Sequence, residues 1–444
     1  MNSHPKGWLR HYIEFRTRKP FPTRLPTSGV PMVEGTGVHH ELEEAIYYFL
    51  QPTGLLYGFP LQSPFSEETY QGLDLGKGAN PAFLIFLDAL FACLVTDRHY
   101  LLENLAEEGD HFPFALKTAE IFFTMKTNAK RSSPLSVMGR FRLGGGGNGG
   151  LSDFENELTL RLENRHDHFQ RQNAYYNSFL FFDLYDCLTW QREMLVNPDA
   201  AETSLEKLAT RQVVHRHLLI RLMIAASNAG GGVTGKSERR LIEWFLKSSN
   251  LGRNWQYDLR KDMNRGLTLG EIDIPELPWL VRRFMLEAIM MTVLIDRDIT
   301  EAENIFLNQV VQRLELWEGE LNQSMMALEV FLLNQEDHLT ILQHRNFMIN
   351  VGENLRNQAT SVLRKNLDRI VTEIKETQEL YTLLLKSTHA SLSPEEKGKV
   401  RAQLLDIMKT IPALAIFALP GGAIILPILI KLLPFNLLPS SFED

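Results

Sequence analysis

The sequence predicts an all-α, multi-domain protein that ends in a proline-kinked membrane segment, and three observations carry that reading. From Glu41 onward apolar residues recur at three- and four-residue steps, as in Leu42, Ala45, Ile46 and Phe49, which is the spacing of one helix face. A length of 444 residues exceeds what one hydrophobic core organises, so several helical units are expected. Near the C-terminus, residues 411–430 carry no charge and are bounded by Lys409 and Lys431.

Composition limits the function classes. Hydrophobic residues at 44% and charged residues at 23% are ordinary for globular chains. A net charge of -8 gives no general attraction to phosphate backbones, so direct DNA binding is not expected. Cys93 and Cys187 sit in apolar surroundings and match no metal or redox spacing, which predicts buried thiols in a reducing compartment. The first residues lack the apolar core of a secretory signal. Residues 1–40 read as a basic, poorly ordered arm, in which residues 1–24 carry Lys6, Arg10, Arg16, Arg18, Lys19 and Arg24 against Glu14. The same bias suits a mitochondrial presequence or an arm on anionic lipid.

Element by element, residues 41–143 form a first helical region, and residues 144–150, glycine except for Asn148, form a flexible linker. Residues 151–210 are helical again, with Tyr175, Phe179, Phe182 and Tyr185 on a core-facing stripe. Residues 211–320 are a better defined helical domain. Residues 321–390 form long amphipathic helices with Leu355, Val362, Leu363, Leu367, Ile370, Ile374, Tyr381 and Leu384 on one face. Residues 391–444 are the membrane region.

One motif inside the middle domain invites a nucleotide reading. Gly230, Gly235, Lys236 and Ser237 satisfy the Walker A pattern, and residues 291–296 resemble a strand ending in a metal-binding Asp. That chemistry needs a buried parallel strand before the loop. Instead, residues 218–226 continue a helical pattern, and the two segments occupy equivalent places in a repeat. Counted from Glu238, Leu241, Ile242, Phe245, Leu246 and Leu251 match, offset for offset from Glu303, the residues Phe306, Leu307, Val310, Val311 and Leu316. A P-loop hydrolase is therefore the weakest of the three functional readings.

The repeat, residues 225–251 and 290–316, resembles the tellurite-resistance B-like (TerB-like) helical domain, whose halves each hold a helix, an acidic loop and a further helix. The resemblance implies a metal site, for which the second loop offers Asp296, Asp298, Glu301 and Glu303, whereas the first offers Asn228, Gly230 and Thr234. The competing reading makes Thr300 and Glu303 a capping box at a helix start. His166 with His168 and His215 with His217 are two apart, so on a helix each pair points to different faces and makes no ligand set. No catalytic residue or cofactor is assigned, and the chain is read as a non-enzyme.

As a helix, the 20 uncharged residues 411–430 span about 30 Å, the thickness of a hydrocarbon core. Their Ile, Leu and Phe side chains contribute roughly -3 to -6 kcal/mol to insertion. Pro412, Pro420, Pro427, Gly421 and Gly422 oppose a straight helix. A kinked crossing is the first reading, a re-entrant hairpin bending at residues 420–422 the second, and a hairpin buried in the soluble fold the third. Lys397, Lys399, Arg401 and Lys409 precede the stretch while Lys431 follows it, placing the bulk of the chain on the cytoplasmic or matrix side. With fourteen residues after Ile430, the arrangement is a tail anchor.

The C-terminal sequence looks like the membrane region of the leucine zipper and EF-hand containing transmembrane protein (Letm-like) family. The features are the capped start at Ser393, Pro394 and Glu396, the prolines Pro412, Pro420 and Pro427, and the ending Leu438 to Glu443, with Lys431, Pro434 and Pro439 completing the candidate membrane segment. The whole is most similar to bacterial relatives labelled biofilm-associated. Membership implies an inner-membrane protein, bacterial or, as the alternative, mitochondrial, tied to exchange of potassium or calcium against protons and to ribosome contact. The family's ribosome-binding domain is expected after the membrane segment. The family also places an acid shortly after the proline equivalent to Pro420, where this chain has Gly421, Gly422 and Ala423. The resulting expectation is a membrane-anchored helical scaffold whose partners are the lipid bilayer, a protein or a second copy, and the ribosome. A subunit of a cation/proton exchanger is the rival.

Overall fold

The computed structural model describes residues 7–22, 25, 38–65, 67–73, 81–102, 111–128, 148–162, 179–197, 201–230, 234–295, 299–334, 360, 362–387, 392–411, 414 and 429. Among them every regular element is helical and no strand occurs, as the apolar periodicity predicts. Two compact units form, one from residues 1–26, 45–228 and 239–273, the other from residues 27–44, 229–238 and 274–444.

The first unit contains α1 (Trp8–Arg18), the end of α2 (Val38–Leu50), α3 (Pro81–Leu102), α4 (His111–Asn128), α5 (Asn148–Leu162), α6 (Leu180–Val196), α7 (Ala201–Ser227), most of α8 (Lys236–Ser248) and α9 (Arg253–Arg265). Its centre is α3, buried on every side from Ala82 to Asp97, as a helix that is apolar all round must be. The two carboxylates in that run each meet a cation, since an unpaired buried charge is prohibitive. Asp97 accepts from Arg192 Nε at 2.7 Å, and Asp88 pairs with Arg16 Nη2 at 2.6 Å.

The stretch read as a poorly ordered basic arm holds α1 over residues 8–18. Trp8, Leu9, Tyr12 and Phe15 are buried at helical spacing, and Arg16 is only 2% exposed. Its guanidinium lies 4.4 Å from the Phe21 ring centre and 5.1 Å from that of Phe65. Asp88 neutralises it, and Tyr12 and Tyr70 each donate to the same carboxylate at 2.7 Å. The α1 N-terminus is closed by Glu155, whose carboxylate accepts from the Gly7 and Leu9 amides at 2.8 and 3.0 Å. Charge counting misses this because the carboxylates involved, Asp88 and Glu155, lie far along the chain.

Cys93 and Cys187 are buried thiols outside any disulfide, in line with the thiol reading. Burial pushes the Cys93 thiol far above its ordinary value. Within the expected linker, Asn148 to Gly150 already belong to α5, and residues 144–147 lie outside the described residues.

The second unit contains α10 (Trp279–Leu294), α11 (Glu301–Arg313), α12 (Glu318–Asn334), α13 (Leu367–Glu376), α14 (Gln378–Ser387) and α15 (Pro394–Thr410). Trp279 Nε1 donates to Glu320 at 2.6 Å, and Arg283 donates to the Glu320 carbonyl at 3.1 Å. These contacts bring the starts of α10 and α12 together.

The repeat read from spacing has a structural counterpart. All ten matched apolar residues, from Leu241 to Leu251 and from Phe306 to Leu316, are buried. In the first copy the Glu238 carboxylate accepts from the Gly235 amide at 2.5 Å, and in the second Glu303 accepts from the Thr300 amide at 2.8 Å. Twelve residues after each Glu stands a non-glycine residue with left-handed backbone, Asn250 at φ 58° and Glu315 at φ 50°. Each ends its helix in the way a C-terminal glycine ordinarily would. The expected 211–320 domain has residues in both units.

Candidate functional site

The C-terminal region is assembled from α15 upward. Ser393 Oγ accepts from the Glu396 amide at 3.2 Å while the Glu396 carboxylate accepts from the Ser393 amide at 2.9 Å. With Pro394 in the first turn, this is the capped start read from the sequence. Lys386 of α14 donates to Glu396 at 2.5 Å and, with the two Ser393 bonds, holds that carboxyl below its usual range.

From this start Val400, Leu404, Ile407, Met408 and Ile411 follow at one-, three- and four-residue steps and are at most 5% exposed. They pack with Leu363, Ile370, Ile374, Leu380 and Leu384, and with Met326, Ala327 and Val330 of α12. Leu414 and Leu429, near the two ends of the uncharged stretch, lie in the same cluster, both fully buried.

Beside the cluster sits a residue that periodicity overlooks. Glu329 of α12 is 1% exposed, its Oε2 has no hydrogen-bond partner, and burial pushes its carboxyl up to about 8. The sequence signal was a lone acid within an otherwise apolar run from Met325 to Leu333.

Of the proposed metal ligands, Asp296 and Asp298 lie outside the described residues. Glu301 is exposed in the first turn of α11, and Glu303 forms the capping box with Thr300. Among the described residues no group of three or more His, Cys, Asp and Glu is placed to hold a metal ion. Pro412, Pro420, Gly421, Gly422, Pro427, Lys431, Pro434 and Pro439 all lie outside the described residues. Among the described residues no helix is long and apolar enough to cross a membrane.

The Walker-like segment lacks its structural setting. Helix α7 precedes it where a strand is needed, Lys236 is exposed, and the Glu238 carboxylate occupies the Gly235 amide that a phosphate would require. His215 is buried in the first unit, where burial and Arg211 lower it to about 4. His166 and His168 lie outside the described residues.

Residues 392–444 match the family model described as LETM1-like, RBD. No curated protein and no solved structure matches the chain. The match begins at the Ser393 cap and runs through the uncharged stretch, so the LETM1-like domain covers the segment itself. The resemblance read from the sequence places a ribosome-binding domain only beyond that segment, whereas the match spans it. The LETM1-like family is not a known enzyme family.

Proposed function

We propose that this chain is a non-enzymatic, membrane-attached helical scaffold, with the LETM1-like region as its lipid- and ribosome-contacting element. One observation carries the reading: the family match spans residues 392–444 and so includes all 20 uncharged residues from 411 to 430. The letters RBD denote a ribosome-binding domain, and members of the family are membrane-linked. A cytoplasmic placement of the helical bulk at a bacterial inner membrane agrees with Lys397, Lys399, Arg401 and Lys409 ahead of the stretch. The two repeat copies are read as a TerB-like interaction module.

The exchanger reading has a weaker footing, because residues 411–430 hold no titratable group and exchange needs one that binds proton and cation in turn. The scaffold reading predicts that the full chain pellets with native membranes through a high-salt wash and that ribosomes co-sediment with it. Recovery of the chain wholly in the supernatant would overturn it. Robust cation-for-proton flux in proteoliposomes holding the purified chain alone would favour the rival.

A further inference from the structure

The whole-chain charge of -8 conceals a local surplus of the opposite sign. Residues 207–265 hold twelve Lys and Arg against four Asp and Glu, a net +8, so the remainder of the chain stands at -16. Helices α8 and α9 carry much of that surplus, and their residues from 239 to 265 lie within the first unit. Arg239 donates to Asn264 at 3.2 Å, and Arg260 donates to both Glu243 oxygens at 3.2 Å. Later residues of α8 thus meet earlier residues of α9, and the two helices are antiparallel. On α9, Leu259 and Met263 turn into the fold, 0% and 3% exposed. Arg253, Tyr257 and Lys261 follow one another at four-residue steps and are all exposed, which sets the ring between two cations on one helix face. We propose that this face of α8 and α9 binds single-stranded nucleic acid, with phosphates on Lys247, Arg253 and Lys261 and a base stacked on Tyr257.

Two observations set this face apart from an ordinary solvated helix. The cations that serve the fold are already engaged, Arg260 with Glu243, Arg221 with Asp262, and Arg265 with Asp262 and Glu271. Among the described residues no acid pairs with Lys247, Arg253 or Lys261, and all three are exposed, which leaves them for an outside anion. Tyr257 is 70% exposed, and an aromatic ring set among cations is the stacking platform of sequence-tolerant single-strand binding. The exposed acid of α9, Asp258, stands about 100° further round the helix. A lipid surface would need an apolar helix face to enter, and that of α9 is spent on the core. No residue of the face belongs to 392–444, so the inference goes beyond the scaffold reading and stands without it.

The test is fluorescence anisotropy of labelled pyrimidine oligonucleotides of about ten residues, ribose and deoxyribose, titrated with the full chain in nonionic detergent. Three phosphate contacts give log affinity a slope of about -2 against log salt. Tyr257→Ala is expected to weaken binding about 10- to 100-fold, while Tyr257→Phe keeps it. Arg253→Ala with Lys261→Ala should flatten the slope to about -0.7. Binding of either oligonucleotide with these dependences supports the face, and the tighter of the two names the sugar. No binding by the wild-type chain at low salt, or binding that the Tyr257→Ala chain and the double variant both retain in full, overturns the proposal. Flotation with anionic vesicles should be the same for wild type and variants; a loss confined to the variants assigns the face to lipid and overturns it as well. Failure of every chain to float, with the oligonucleotide results intact, counts against the membrane reading alone.

Discussion

Asp88 accepts from Tyr12, Tyr70 and Arg16 at 2.7, 2.7 and 3.0 Å, and removing it strands a guanidinium that is 2% exposed. Asp88→Ala is therefore expected to cost about 3–5 kcal/mol, read as a lowered urea midpoint for the first unit; an unchanged midpoint would contradict the buried pair. Two other residues give opposite pH windows. Glu329 rises from 4.5 to about 8, so its contribution is full below 4.5 and lost by 8, roughly 5 kcal/mol at about 1.4 kcal/mol per pH unit. His215 falls from 6.5 to about 4, so its contribution is full above 6.5 and lost as pH drops through 4, roughly 3 kcal/mol. Glu329→Met should flatten the alkaline side of the stability profile and His215→Gln the acid side, each leaving the other limb in place. None of these three buried groups is legible in the sequence. Arg16 and Asp88 lie 72 residues apart, and periodicity, which follows apolar positions, passes over a single Glu in an apolar run.

Single helices were far more readable, because their signals are local. The offsets counted from Glu238 and Glu303 fall on ten buried side chains, and the boxes at Thr300 and Ser393 form with both partners engaged. What spacing cannot supply is backbone state: that Asn250 and Glu315 adopt positive φ depends on how each helix meets its next turn. Glu315→Gly should raise the melting midpoint by about 1 kcal/mol equivalent and Asn250→Gly by less, since Asn tolerates that region better. A loss of stability in both would show that the side chains matter more than the backbone. The Walker-like segment gives a sharper contrast. If Glu238 caps α8, Glu238→Ala costs about 1–2 kcal/mol, while Lys236→Ala at an exposed position stays within about 0.5 kcal/mol and changes no nucleotide affinity. The reverse ranking in denaturation and nucleotide titration would restore the phosphate reading.

For the whole molecule, the helical class and the membrane-like tail follow from composition and hydropathy, while the division into units does not. Contacts that define it, such as Glu43 accepting from the Leu280 amide at 3.0 Å, join residues 237 positions apart, beyond the reach of any local pattern. The family match at residues 392–444 places the LETM1-like element where charge-free sequence, proline spacing and the Ser393 cap converge. Every functional claim depends on that element bringing the chain to lipid. The most direct measurement is flotation of the full chain with anionic phospholipid vesicles, beside the variant Ile425→Arg with Leu426→Arg, at pH 6 and pH 9. Two arginines cost roughly 5–7 kcal/mol at mid-depth, enough to cancel the insertion free energy of the stretch. The wild-type chain is predicted to rise with the vesicles at both pH values, while the double variant stays at the bottom. A wild-type chain that remains at the bottom at both pH values contradicts the account.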